Sequence, residues 1–265
     1  MIKIFRKIRQ NLLLEGKTGK YFKYALGEIV LVMIGILLAL QVNNWNELRK
    51  SKQAKNVYID RLINELKADT TAFSFHIKNV QSNANDGKYI MSIINENKPI
   101  VNNKEFVLRL QNIGRVSIPR KANNSFLDLQ SSGNLKLFNN DFVVNAVRSY
   151  YVTEVDFWYE RYIERTTEGF LPIVTEVLPF KIGEEIIKSE MKENPNFSPS
   201  LNLEYYKVSV SNEDLELILE KIRKQRDFNF HLKNATRAHL LQIRFLRESY
   251  NQASDLIKLL KNYKE

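Results

Sequence analysis

Histidine is the side chain that most often binds a metal or transfers a proton near neutral pH, and the sequence has three: His76, His231 and His239. No two of them are three or four residues apart, and no His-Glu-x-x-His element occurs. The absence of Cys excludes thiolate nucleophiles, disulfides and Cys-bound zinc. Gly-rich phosphate loops and Gly-x-Ser-x-Gly elements are also missing. We therefore expect no metal, no cofactor and no enzymatic activity.

His239 lies within an apolar series of residues, close to Thr236 and Gln242. Protonation of a histidine in that position could bias helix packing near neutral pH. The ordinary alternative is a core histidine with a hydrogen-bonded ring nitrogen, and we expect that alternative.

The densest aromatic stretch lies within residues 150–170. Its members are Tyr150, Tyr151, Phe157, Trp158, Tyr159, Tyr162 and Phe170. Core packing accounts for most such clusters, but Tyr and Trp also line ligand pockets and partner surfaces. Tyr151, Trp158 and Tyr162 are therefore the candidate recognition residues of a ligand-binding protein or hydrolase.

The net charge of +10 is concentrated towards the two ends of the sequence. Residues 1–23 contain seven Lys/Arg and one Glu, and residues 221–265 contain eleven Lys/Arg and four acidic residues. The intervening stretch has 22 basic and 25 acidic residues. The arginines and lysines of the last segment do not gather on one helix face, so we expect no nucleic-acid partner.

Residues 24–42, YALGEIVLVMIGILLALQV, contain one charged residue, Glu28. At about 1.5 Å per residue, a helix of this length covers roughly 28 Å, the thickness of a bilayer core. Almost every position from 29 to 40 is apolar, whereas a soluble helix normally keeps a polar face. The sequence therefore predicts one transmembrane helix at 24–42.

Amphipathic aromatic rings flank this stretch, with Tyr21, Phe22 and Tyr24 on one side and Trp45 on the other. Such rings favour the headgroup layers of a bilayer. Glu28 lies about one turn inside the span, where we expect its carboxylate to reach the interface. The alternative is that Glu28 hydrogen-bonds to a partner helix or carries protons.

Residues 1–23 form a basic segment in which apolar residues recur at helical spacing. We expect it to lie on anionic lipid headgroups. No Ala-x-Ala-like cleavage site follows the apolar run, which favours an uncleaved signal anchor. Lys and Arg are more frequent before the span than after it, which predicts residues 1–23 in the cytoplasm and 43–265 outside it.

Three sequence stretches resemble a known family. They are GEIVLVMIGILLALQVNNWNE at 27–47, IKIFRKIRQNLL near the beginning and LDLQSSGNLKLFNN at 127–140. Together they are similar to an uncharacterised bacterial family of single-span membrane proteins, classified only as a domain of unknown function. The resemblance implies a mostly helical protein of the bacterial inner membrane, with its bulk in the periplasm and no assigned activity.

Two long apolar seams are predicted in the remainder of the chain. The first continues from the membrane segment and ends at a loop within 95–103; Ile59, Leu66, Phe73 and Val80 recur at intervals of seven. The second begins at Ser211, a candidate N-cap with Asp214, and continues as one unbroken helix of roughly 50 residues. The seams either pack as an antiparallel pair within the chain, which we expect, or pair with a second copy as a homodimer.

The sequence thus predicts an all-α protein with a basic tail at 1–23, a transmembrane helix at 24–42 and a helical-bundle domain at 43–265. The expected function is that of an envelope scaffold or sensor, with a homodimer or an envelope protein as partner. The alternative is a membrane-tethered ligand-binding protein or hydrolase that uses the aromatic segment.

Overall fold

The computed structural model describes residues 18–152, 156–193 and 203–264, and within these ranges it contains helices and turns but no strand. The predicted all-α class is confirmed. Tertiary contacts divide the chain into Met1–Tyr58 and Ile59–Glu265. The domain boundaries predicted at 23/24 and 42/43 both fall within the first of these units and stay predictions.

Helix α1 covers Thr18–Glu96 and contributes to both units. It contains no Pro, and it ends before Asn97, which has a left-handed backbone with φ of 54°. The loop predicted at 95–103 is therefore confirmed. Residues 1–17, which include most of the predicted basic tail, lie outside the described part of the chain.

In the first unit, α1 presents an exposed apolar surface, as far as the described residues show. The large apolar side chains from Leu26 to Val42 are exposed, and none of the most apolar window of the helix is buried. This helix is long and apolar enough to cross a membrane.

The second unit contains the end of α1 and further helices. These are α2 (Asn103–Ile113), α3 (Asn124–Ser131), α4 (Asp141–Val152), α5 (Asp156–Ile163), α6 (Leu171–Val177), α7 (Phe180–Glu193), α8 (Asn212–Lys224) and α9 (Phe228–Lys264). A 3₁₀ turn at Asn134–Phe138 precedes α4, and a π-helical turn at Glu164–Glu168 follows α5. Gly133, the second residue after α3, has φ of 68°, a conformation that glycine adopts at little cost.

The two predicted seams are buried within one chain. Ile59, Leu66, Phe73 and Val80 of α1 are buried, as are Leu232, His239, Leu246, Ala253 and Leu260 of α9. The Lys264 ammonium lies 2.6 Å from the Asp60 carboxylate, while Gly87 lies against Thr236. Because high numbers in one helix meet low numbers in the other, α1 and α9 run antiparallel. The intramolecular packing is confirmed, and the homodimer stays a prediction.

The prediction of one unbroken helix from Ser211 onwards is wrong. Ser211 does form the expected capping box with Asp214, but α8 ends at Lys224, and Gln225 adopts an extended conformation with ψ of 100°. The turn lets α8 pack against α6, while α9 packs against α2, α4 and α5. Phe228, the first residue of α9, reaches the ring of Phe170 at 5.8 Å. Burying the apolar faces of both helices in one core thus requires a change of direction that the seam alone does not reveal.

A second face of α1 is polar and binds the segment that follows α2. We name this face the polar ladder, and it consists of Glu65, Asp69, His76 and Asn83. Asn83 donates to the Arg115 carbonyl at 3.1 Å, His76 bonds the Ser117 hydroxyl at 2.7 Å, Asp69 accepts from the Ala122 amide at 2.9 Å, and Glu65 accepts from the Ser125 amide at 3.0 Å. Residues 115–125 thus run antiparallel to α1, with three of their backbone groups and the Ser117 hydroxyl bound to its side chains.

Gly87 permits the close approach of α1 and α9. A Cβ at this position would overlap the Thr236 hydroxyl and lie 3.0 Å from the Thr236 Cβ. Ala normally stabilises a helix interior by about 1 kcal/mol relative to Gly, but overpacking typically costs 1–3 kcal/mol. We expect Gly87→Ala to lower the free energy of unfolding, measured by urea denaturation and circular dichroism, by roughly 1 kcal/mol.

Gly183 provides the matched control, because it is helical and a Cβ there meets no atom within 4 Å. Gly183→Ala is expected to be neutral or stabilising, and Thr236→Ala is expected to restore part of the stability lost in Gly87→Ala. Equal effects of the two glycine substitutions would contradict the close approach.

Candidate functional site

A cleft of about 280 Å³ lies between α5 with its π-helical turn and helix α9. One wall is lined by Trp158, Arg161, Tyr162 and Arg165, and the other by Ala238, Leu241, Gln242 and Phe245. Each set follows the spacing i, i+3, i+4, i+7, which places its members on one face of a helix. The cleft therefore arises where two such faces meet.

Ring contacts fix how the two walls meet. The ring centroids of Trp158 and Phe245 are 4.4 Å apart, and the Tyr162 hydroxyl lies 2.9 Å from the His239 Nδ1. The two helices are thus antiparallel at the cleft. Trp158 remains 42% exposed at the rim, whereas Tyr162 is buried at the floor.

His239 is fully buried, and both ring nitrogens have partners. Its Nε2 lies 2.8 Å from the Ile113 carbonyl, which accepts hydrogen bonds only, so Nε2 carries the proton and Nδ1 accepts from the Tyr162 hydroxyl. Burial lowers the pKa of His239 to about 4, despite the bond to Ile113 that favours the charged ring. His239 is therefore neutral at pH 7 and acts as a core residue that joins α2, α5 and α9.

The rim of the cleft is basic. Arg161 pairs with Glu164 at 2.8 Å, whereas Arg165 has no carboxylate within ion-pair distance among the described residues. Gln242 is 1% exposed, and within the described part of the chain its Nε2 has no hydrogen-bond partner. The described lining thus offers cationic and amide donors beside aromatic walls, and it contains no carboxylate.

Of the three predicted recognition residues, Trp158 and Tyr162 come together in the cleft and Tyr151 does not. The Tyr151 ring stacks on Phe126 with centroids 4.8 Å apart. Its hydroxyl is buried without a hydrogen-bond partner among the described residues. Tyr151 therefore belongs to the packing beside the polar ladder.

The neighbouring Tyr150 completes the environment of a buried carboxylate. Its hydroxyl donates to Asp69 Oδ2 at 2.7 Å, and the Lys121 ammonium lies 4.3 Å from the centre of its ring. Burial raises the pKa of Asp69, although the bonds from Tyr150 and Ala122 oppose that rise. Burial also lowers the pKa of Lys121. Asp69 is thus held by two hydrogen-bond donors, Tyr150 and Ala122, and by the positive charge of Lys121.

The residues predicted to mark the membrane interface are only partly described. Phe22 is 71% exposed and Trp45 is 65% exposed, with the Arg49 guanidinium 5.9 Å from the Trp45 ring centre. Glu28 is partly buried. The side chains of Tyr21 and Tyr24 lie outside the described part of the chain.

Comparison with known protein families identifies the family to which this chain belongs. Residues 28–165 match the family of unknown function DUF6090, and the match covers more than half of the chain. The chain belongs to the DUF6090 family. No curated protein and no solved structure shows a significant similarity to it.

The DUF6090 match contains most of the N-terminal signature, the 127–140 element, the polar ladder and the α5 wall of the cleft. Helix α9, which supplies the opposite wall, lies outside the matched residues. The resemblance to an uncharacterised family is therefore confirmed, and the cleft combines a wall from the DUF6090 region with one that follows it.

The sequence analysis missed six cleft residues, namely Arg161, Arg165, Ala238, Leu241, Gln242 and Phe245. The signal that could have found them is the shared i, i+3, i+4, i+7 spacing on the two segments. That spacing does not reveal which faces meet across some 80 intervening residues, so the pairing could not be predicted.

Tyr150 and Tyr151 allow the same substitution to be compared at adjacent positions. Tyr150→Phe removes a hydrogen bond to the buried Asp69 carboxylate, and we expect a loss of about 1.5–3 kcal/mol in the free energy of unfolding. Tyr151→Phe removes a buried hydroxyl without a partner among described residues, so we expect no loss. Urea unfolding of the two variants checks this, and similar losses in both would contradict the assignment.

His239 makes stability depend on pH in a defined direction. Its pKa is about 4 when folded and about 6.5 when unfolded, so the unfolded state binds more protons between these values. The contribution of neutral His239 to the free energy of unfolding is complete above the unfolded pKa. It is lost as the pH falls towards 4, and the total loss is on the order of 3 kcal/mol.

The comparison that isolates this effect is with His239→Gln, whose amide can still donate to Ile113. Burial raises the pKa values of Asp69 and Asp86, which shifts stability in the opposite sense, and both residues are present in both proteins. We expect the difference in free energy of unfolding between the parent and His239→Gln to shrink as the pH falls from 7 to 4. A constant difference would show that His239 does not titrate as described.

Proposed function

We propose that this protein is anchored to the bacterial inner membrane by residues 24–42 and acts there as an envelope scaffold or sensory interaction module. Residues 1–23 lie in the cytoplasm against anionic headgroups, and residues 43–265 lie in the periplasm. The binding partner is a second copy or another envelope protein. The protein is not an enzyme.

The observation that carries this proposal is the uncovered apolar surface from Leu26 to Val42. The core helix of a soluble protein would be largely buried, yet none of the apolar window is buried. Exposing so many consecutive apolar side chains to water is costly, at roughly 25 cal/mol per Å². A bilayer satisfies this surface over a length that fits its hydrocarbon core.

The interface residues support the same placement. Phe22 and Trp45 are both exposed and lie on opposite sides of the apolar run, as expected of rings in the two headgroup layers. The Lys/Arg excess before the run favours a cytoplasmic N-terminal segment.

A binding role is favoured over catalysis because the buried titratable groups hold the fold together. Asp69 accepts from Tyr150 and Ala122, Asp86 accepts from Arg109 and Asn112, and His239 bridges Tyr162 and Ile113. Hydrolysis at the aromatic segment would require a base in the cleft, and the described lining supplies arginines instead of carboxylates.

The anchor is tested by introducing charge into the apolar run. Ile34→Lys with Leu37→Lys places two ammonium groups near its centre, at a cost of about 5–7 kcal/mol for insertion. We expect this double variant to lose resistance to alkaline carbonate extraction. Leu48→Lys with Val57→Lys is the matched control, because these apolar residues are also exposed but lie beyond residue 42, and it is expected to stay with the membrane.

The orientation is read from reporters fused after Glu265 in the parent and in both double variants. A reporter active only outside the cytoplasm should function in the parent and the control, and one active only inside should not. Carbonate-resistant insertion of the Ile34/Leu37 variant would refute the anchor, and a cytoplasmic signal from the parent would refute the orientation.

A further inference from the structure

The cleft between α5 and α9 has the properties of a binding site for a small organic anion. We propose that it binds a monocarboxylate with a flat apolar body, with the carboxylate at Arg165 and the body against Trp158, Leu241 and Phe245. This inference does not depend on the membrane anchor, because all of the lining residues belong to 158–245.

The charge of the cleft selects an anion. Arg161 and Arg165 both line it, and Arg161 already pairs with Glu164. Arg165 has no such carboxylate partner among the described residues. A guanidinium presents parallel donors that fit the two oxygens of a carboxylate. Arg165 is therefore the residue that would bind the charged group directly.

The Gln242 amide is the second and independent indication of a ligand. Gln242 lines the cleft and is almost completely buried, yet its Nε2 has no hydrogen-bond partner in the described part of the chain. A buried amide donor without a partner is costly, and most buried polar groups in proteins are satisfied. An oxygen of a bound carboxylate would supply the missing acceptor.

The walls and the size define the rest of the ligand. Trp158 and Leu241 are partly exposed at the rim, and Phe245 packs against Trp158, so the cleft has an apolar side. A volume of about 280 Å³ holds about nine water-sized groups of about 30 Å³ each. This fits a ligand of about ten non-hydrogen atoms, at the lower end of the usual range for small-molecule sites.

The π-helical turn at Glu164–Glu168 places Arg165 at the cleft. Arg165 belongs to this turn and lies on the same wall as Trp158 and Tyr162, although the α-helix ends at Ile163. The Thr166 hydroxyl stabilises the turn by donating to the Tyr162 carbonyl at 2.6 Å. Such turns occur frequently at functional sites, where they re-orient a side chain.

Fluorescence of Trp158 provides a direct test with the full-length chain in lipid nanodiscs. The protein has two tryptophans, so Trp45→Phe leaves Trp158 as the sole reporter. The probes are 3-phenylpropionate, its uncharged amide 3-phenylpropanamide and the cation 3-phenylpropylamine. We expect saturable quenching by the carboxylate with a Kd on the order of 1 mM, and binding of the amide and the amine at least about tenfold weaker.

Two variants link the quenching to the proposed contacts. Arg165→Gln should weaken binding of 3-phenylpropionate at least about fivefold, since it removes the charge-assisted hydrogen bonds. Arg148→Gln is the matched control, because Arg148 is an exposed arginine on α4 outside the cleft, and it should bind as the parent does. Gln242→Met should weaken binding without lowering the urea midpoint, since it removes an amide whose donor has no described protein partner.

Three results would overturn the proposal. They are the absence of saturation by 3-phenylpropionate up to about 10 mM, equal binding of the carboxylate and the amide, and equal effects of Arg165→Gln and Arg148→Gln. None of these results bears on carbonate extraction or reporter topology. The proposals of a ligand site and of a membrane anchor can therefore be refuted independently.

Discussion

The fold of residues 59–265 depends on hydrogen bonds to the backbone of one irregular, partly buried segment, residues 114–123. Residues 114–123 follow α2 without regular secondary structure, so most of their amide and carbonyl groups lack helical partners. The polar ladder of α1 supplies partners at Arg115, Ser117, Ala122 and Ser125. Because unsatisfied buried groups cost about 1–3 kcal/mol each, this arrangement determines the register of the segment along α1.

The Asp69 carboxylate of α1 and the Ile113 carbonyl, which precedes this segment, also position other helices of the bundle. Asp69 also accepts from Tyr150, which fixes α4 against α1, and the Ile113 carbonyl at the end of α2 accepts from His239 of α9. His239 in turn accepts from Tyr162, which holds α5 against α9. The cleft thus lies beside buried hydrogen bonds that join α2, α9 and α5. Trp158 and the two arginines of the cleft remain accessible.

The two units expose different kinds of surface. In Met1–Tyr58 this surface is apolar over a length suited to a bilayer, and in Ile59–Glu265 the cleft offers cations and an amide donor beside aromatic rings. Buried carboxylates and the buried histidine are engaged in structural hydrogen bonds, so they serve stability. The anchored module that we propose, which recognises a partner or a small anion, would account for both surfaces.

Local patterns in the sequence determined the helical class, the apolar run at 24–42, the capping box at Ser211 and both apolar seams, because each depends on neighbours a few residues apart. They also placed Trp158 and Tyr162 together, four residues apart on one face. The break at Gln225, the polar face of α1 and the pairing of Trp158 with Phe245 were decided by tertiary structure alone. Each of these depends on which helix faces meet, and that choice is made by burying apolar area and satisfying polar groups over the whole chain at once. Gly87 illustrates the difference: in the sequence it weakens a helix, whereas in the fold it leaves room for the Thr236 side chain of α9.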